Sequence, residues 1–167
     1  MTGVKFVRSK VKRRPPTLDE TTVNSSTELR YVLVCDDEAH IRAVISAKLS
    51  GSGLAVKQAR TGAEGLALAL EHAPMLIITD FQMPVMSGLE MAQQLKASPL
   101  CANVPLLMLT ARGYTLDAIE LARTNIREVV AKPFGVKQLM ERVTSILSVL
   151  PSVPTITQPA MDGRAAA

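Results

Sequence analysis

Five short apolar runs alternate with five stretches of helical spacing, and this alternation constrains the chain more than any other feature of it. Tyr31-Val-Leu-Val-Cys35 stops at Asp36, and Met75-Leu-Ile-Ile-Thr79 stops at Asp80. Residues 104–109 stop at Thr110, residues 126–131 stop at Lys132, and residues 54–59 supply the remaining run. Runs of this length, rich in aliphatic and β-branched residues, predict strands. Between them Ile41, Val44, Ile45 and Leu49 recur at helical spacing, with Gly51 and Gly53 ending that helix. Ala63, Leu66, Ala67 and Leu70 make a second stripe, and Leu89, Ala92 and Leu95 a third. Thr61-Gly-Ala-Glu64 and Ser87-Gly-Leu-Glu90 read as capping boxes that satisfy free amides at helix starts. A weaker helix is expected over 114–123, closed by Asn125, a residue that tolerates the left-handed conformation. The last helix carries Val136, Leu139, Met140, Val143, Ile146, Leu147 and Leu150 on one face. Five strand–helix pairs predict an α/β domain: a parallel sheet covered on both faces, with its ligand site at the carboxyl ends of the strands.

That domain occupies residues 30–150, between an arm at 1–29 and a tail at 151–167. The net charge is +4, and residues 1–30, with seven basic and three acidic groups, hold all of the excess. Six of those basic groups lie in residues 5–14, just before a Pro-Pro pair and a Ser/Thr-rich stretch. Such a run is either a solubilising flexible arm or a contact for nucleic acid or an anionic membrane surface. The tail, with prolines at 151, 154 and 159, also reads as flexible. Cys35 and Cys101 are too few for a disulfide framework and fit a reducing, cytoplasmic compartment. Cys35 is expected to pack as a small apolar residue, its thiolate disfavoured by neighbouring carboxylates. No apolar run approaches the roughly 20 residues of a membrane span, and no apolar stretch follows the basic start as in a signal peptide.

The predicted strand ends carry a consistent chemistry. Asp36 and Asp37 follow the first strand, Asp80 ends the third, Thr110 the fourth and Lys132 the fifth. Carboxylates brought together repel unless a cation joins them, and Mg²⁺ suits two or three carboxylates with water and a phosphoryl oxygen. An Asp carboxylate can accept a phosphoryl group as a nucleophile. Metal and lysine neutralise the transferred charge, and a threonine hydroxyl can donate to one of its oxygens.

At these residues the chain resembles the receiver domains of two-component response regulators. The matching motifs are Val34-Cys-Asp-Asp-Glu38, Thr79-Asp-Phe-Gln-Met-Pro-Val-Met-Ser-Gly88, Leu109-Thr-Ala111 and Ala131-Lys-Pro-Phe134. The resemblance covers about residues 30–150 and implies a doubly wound, flavodoxin-like sheet of order 2-1-3-4-5. It implies that Asp80 is the phosphoacceptor, charged by a sensor histidine kinase or a phosphotransfer protein. Asp36, Asp37, Asp80 and the Gln82 carbonyl would surround Mg²⁺, and Lys132 would contact the phosphoryl oxygen, its bond to Pro133 usually being cis. Thr110 would carry the change to the fourth-helix face and so to a downstream protein. Activity would be confined to self-phosphorylation and self-dephosphorylation at Asp80, in a single-domain cytoplasmic signalling protein.

Some positions depart from the pattern. The family's aromatic switch residue, three before the lysine, is Val129 here, and Tyr114 is either a substitute or a surface tyrosine. Gln82 and Arg112 stand where the family tunes hydrolysis, Ser87 replaces a common aspartate, and Asn125 a common glycine. Three other functions compete. A binding module could work through residues 5–14, gated by phosphorylation or constitutive. A phosphoaspartate hydrolase is disfavoured because Gln82, where such enzymes carry a second aspartate, cannot cycle a proton. A degenerate receiver is disfavoured by the complete acceptor set. The flanks are too short for a helix-turn-helix module, which argues against a direct transcription factor.

Overall fold

The computed structural model describes residues 30–111 and 116–150; the arm with its basic run at 5–14, Arg112, Tyr114 and the tail lie outside the described residues. The chain alternates as β1 (Tyr31–Cys35), α1 (Ala39–Gly51), β2 (Ala55–Ala59), α2 (Gly62–Glu71), β3 (Leu76–Asp80), α3 (Gly88–Ala97), β4 (Leu106–Ala111), α4 (Ala118–Ala122), β5 (Ile126–Lys132) and α5 (Val136–Ser148). The strands form one sheet of order β2-β1-β3-β4-β5. Every pairing is parallel. This is the predicted doubly wound architecture.

Alternate side chains of each strand enter opposite cores. Leu33, Cys35 and Ile77 pack with Ala69, Met91, Ala92 and Leu95 from α2 and α3. Val32, Val34, Leu76 and Ile78 pack with Ile45 and Leu49 of α1 and Leu139 and Val143 of α5. Burial on both faces explains why β1 and β3 read as unbroken apolar runs. Gly53, at φ +83, turns the chain out of α1, with the Leu54 amide bonding back to the Leu49 carbonyl.

Several expected faces are corrected. Val44 is 49% exposed, and the inner face of α1 is Arg42, Ile45, Ser46 and Leu49. On α2 the fully buried residues are Gly62, Gly65 and Ala69; of the expected stripe Leu66 packs part-buried against the core, while Ala67 and Leu70 are exposed. The cause is close packing: a Cβ on Gly65 would lie 2.6 Å from Cys35 Sγ and 2.9 Å from Met91 Sδ. At 61–64 the Thr61 hydroxyl accepts from the Glu64 amide at 3.1 Å, but the Glu64 carboxylate takes the Arg60 amide instead of closing the box. The box at Ser87–Glu90 is complete. The described part of the fourth helix is a single five-residue segment opened by an Asp117–Glu120 box that the pattern reading missed. Asn125 does not close that helix in the left-handed region, where among the described non-glycine residues only Val85 lies. Its side chain is buried and donates to the Cys101 carbonyl at 2.9 Å, tying the β5 entry to the loop before β4.

Candidate functional site

The parallel register brings the carboxyl ends of four strands to one edge. Cys35 pairs with Thr79, Asp80 with Leu109, and Thr110 with Ala131, so Asp36, Asp80, Thr110 and Lys132 lie on neighbouring levels of the sheet. Gly88 keeps the end of β3 in place: its amide donates to the Phe81 carbonyl, and a Cβ there would collide with the Asp80 carbonyl oxygen.

Asp36 is fully buried. Its Oδ1 accepts from the Glu38 amide at 2.8 Å, and its Oδ2 accepts from Lys132 Nζ at 2.9 Å. Asp80 is 6% exposed. Its Oδ2 accepts from the Gln82 amide at 3.0 Å, and its Oδ1 lies 2.8 Å from Lys132 Nζ. Lys132 therefore reaches from β5 across β4 to residues on β3 and beyond β1. A third carboxylate, Glu38, approaches the same ammonium at 3.3 Å. The Lys132–Pro133 bond is cis, as the resemblance implied.

Electrostatics differ for the two partners of the central pair. Burial pushes the Asp80 carboxyl above the ordinary range, with the Asp36 charge adding to it; Lys132 and the Gln82 amide pull it back without prevailing. For Lys132 burial opposes the charged form, yet Asp80 and Asp36 outweigh it and hold the ammonium above its usual pKa. Burial of Cys35 pushes its thiol up to about 12, with Glu64 and Asp36 secondary, so packing more than neighbouring charge keeps it inert.

The remaining predicted residues are placed unevenly. Thr110 is fully buried, and its Oγ1 has no hydrogen-bond partner. A buried hydroxyl left unpaired costs about 1–3 kcal/mol. Asp37 is exposed, and its carbonyl accepts from Arg42 Nη1 at 3.1 Å. Gln82 is exposed. Val129 is 40% exposed on a strand with no fully buried residue. Among the described residues no three acidic, His or Cys groups converge into a metal cage. Mg²⁺ commonly needs only one or two carboxylates, its other positions going to water and phosphate, and the all-oxygen donor set of Asp36, Asp37 and Asp80 fits it.

Two residues escaped the sequence reading. Arg42 is buried, and its guanidinium donates to the Asp36 and Asp37 carbonyls, clamping the acid-bearing turn. Its signal was present, because 42, 45, 46 and 49 also follow helical spacing; the apolar pattern of Ile41 and Val44 concealed it. Glu38 entered that reading only as the last residue of the Val34–Glu38 motif, with no role attached to it.

A doubly wound α/β domain with a buried acid–lysine cluster at its carboxyl edge is one class of molecule, and comparison with known proteins narrows it. Residues 32–144 match the response regulator receiver domain. The DNA-binding dual master transcriptional regulator RpaA of Synechocystis is 33% identical over 123 residues, covering 74% of this chain and 51% of that protein. The phosphate regulon transcriptional regulatory protein PhoB of Pseudomonas aeruginosa is 32% identical over 118 residues, covering 71% and 52%. Among solved structures, the chemotaxis response regulator CheY4 of Vibrio cholerae is 30% identical at a TM-score of 0.65, covering 71% of this chain and 99% of that one. The chain belongs to the response regulator receiver domain family. It spans about half the length of the curated relatives it matches.

Proposed function

We propose that Asp80 is the phosphoacceptor of a phosphorylation-driven signalling domain. An Asp80 oxygen forms a bond to phosphorus as the bond from phosphorus to the donor's imidazole nitrogen breaks, and the electron pair stays on that nitrogen. Lys132 neutralises charge on the transferred group. Asp36, Asp37, Asp80 and the Gln82 carbonyl are the groups to hold Mg²⁺, which when bound offsets charge on the transferring oxygens.

The observation that carries this reading is the Thr110 hydroxyl, buried and without a partner one residue past the β4 position paired with Asp80. A phosphoryl oxygen on Asp80 is the acceptor it lacks. Its engagement would move the start of the β4–α4 connection, a local charge event read out at a distance. The donor would be a sensor histidine kinase or a phosphotransfer protein in the cytoplasm, and the output a phosphorylation-dependent contact with another protein. No described helix is long and apolar enough to cross a membrane.

The test is intact mass after incubation with acetyl phosphate and Mg²⁺. One added phosphoryl group, dependent on Mg²⁺ and lost in Asp80→Asn, is expected. A wild-type chain that takes no adduct and binds no beryllofluoride would overturn the reading in favour of a constitutive binding module.

A further inference from the structure

Lys132 donates to more acceptors than the acid pair requires. An ammonium has three N–H groups, and three carboxylates meet this one: Asp80 Oδ1 at 2.8 Å, Asp36 Oδ2 at 2.9 Å and Glu38 Oε1 at 3.3 Å. The first two are buried. The third belongs to a side chain 48% exposed, at the N-cap of α1. A carboxylate at that position ordinarily accepts from the free amides of its own helix. Glu38 makes no such bond. It reaches away from the helix start to a lysine 94 residues distant in sequence, with His40 Nε2 3.6 Å from its other oxygen. The Glu38–Lys132 pair stands at the polar end of a recess of about 480 Å³ that is otherwise lined largely by apolar side chains, including Ile41, Val44 and Phe134.

A phosphoryl group arriving on Asp80 brings oxygens that need a donor from Lys132. With the ammonium saturated, one existing contact must be given up. The Glu38 contact is the longest of the three and the most solvated, so it is the one lost at least cost.

We propose that Glu38 is a positioning residue: it tethers Lys132 in the unphosphorylated domain, and release of that tether is a step in phosphorylation that slows it. The proposal rests on the reading of Asp80 as phosphoacceptor. Glu38 touches neither the donor nor the acceptor oxygen and acts through the lysine. Its removal leaves Lys132 held by two carboxylates, with one N–H free for the incoming group.

Two substitutions separate contact from charge. Glu38→Gln keeps the reach and removes the charge; Glu38→Asp keeps the charge and shortens the reach by one methylene. Both remove the charged contact. In the full chain, the initial rate of adduct formation with acetyl phosphate and Mg²⁺ is expected to rise about 1.5- to five-fold in each, the range of one solvated ion pair. In that step the Asp80 oxygen bonds to phosphorus and acetate departs with the electron pair of the broken P–O bond. The side-chain ammonium resonance of Lys132, observed without donor, is expected to shift in both variants, a signature that a change elsewhere on α1 would not produce.

A faster Glu38→Gln beside a Glu38→Asp at the wild-type rate would reduce the effect to net charge and overturn the tether. An unmoved Lys132 resonance would overturn it as well. A wild-type chain that forms the Asp80 adduct while both variants match its rate sinks the tether alone; a wild-type chain that forms none sinks the phosphoacceptor reading and the tether with it.

Discussion

The centre and the β5 end of the sheet's carboxyl edge are built differently. On the central strands β1 and β3 every residue is buried, and the Asp36 and Asp80 carboxylates accept from main-chain amides. On the β5 side no strand residue is fully buried, and α4 buries none. Ile119 is 63% exposed, and Leu121 and Val129 are also open to solvent. Chemistry that must hold atoms in place sits where packing is dense. On the β5 side few buried contacts resist movement. Lys132 spans the two: its backbone belongs to the loosely packed strand, and its ammonium is held among the buried acids.

Breaking that bridge has the largest expected effect. Lys132→Met removes the charge that faces Asp36 and Asp80, and the rate of acetyl phosphate adduct formation is expected to fall by about two orders of magnitude, the usual cost of losing one donor to transition-state charge. An unchanged rate in a mass-spectrometric time course would show that the two sides work independently.

Packing contrasts come next. Leu33→Ala, fully buried in β1, is expected to cost about 2–5 kcal/mol in urea unfolding. Ile119→Ala on α4 should cost under about 0.5 kcal/mol. Gly65→Ala drives a methyl into Cys35 Sγ and Met91 Sδ and should cost about 1–3 kcal/mol. Equal losses at Leu33 and Ile119 would erase the difference in packing.

A smaller effect lies in the loop after Asp80. Val85 sits at φ 70 with 88% of its surface exposed, and the Met86 amide bonds to the Pro84 carbonyl across it. That is a tight three-residue turn in a conformation a β-branched residue resists. Val85→Gly should raise stability by about 1 kcal/mol, and a fall in the urea midpoint would show that the turn is not strained.

The smallest is a pH effect. The Asp80 carboxyl is raised by burial, so between its unfolded and folded pKa values the native state holds more protons than the unfolded chain. Stability contributed by Asp80 is therefore present at low pH and lost as pH rises through the folded value. Asp80→Asn should be more stable than the wild type at pH 7, with the gap closing as pH falls toward about 4. A gap that widens on acidification would mean that Lys132 outweighs burial at Asp80.

The order of elements, the two-faced sheet and the residues at the strand ends were legible in the sequence, because each rests on a local pattern. An apolar run stops where the strand reaches the polar cluster at the sheet's edge, so Asp36, Asp80, Thr110 and Lys132 mark their own positions. Parallel register then carries them to one edge. The side a helix buries was less legible. Periodicity favoured large apolar residues on α2, whereas its fully buried positions are the small Gly62, Gly65 and Ala69, with Leu66 and Leu68 only partly buried against the core.

Strand–helix alternation and the chemistry of the strand ends were thus determined by sequence alone, since neighbours in the chain set both. Tertiary structure decided that Arg42 turns inward to clamp the acid turn, that Asn125 ties to Cys101, and that Glu38 leaves its own helix for Lys132. The reason is distance along the chain. Arg42 presents a helical pattern as good as its apolar neighbours', while Glu38 meets its partner 94 residues away, and only the packed sheet brings such groups within a few ångströms.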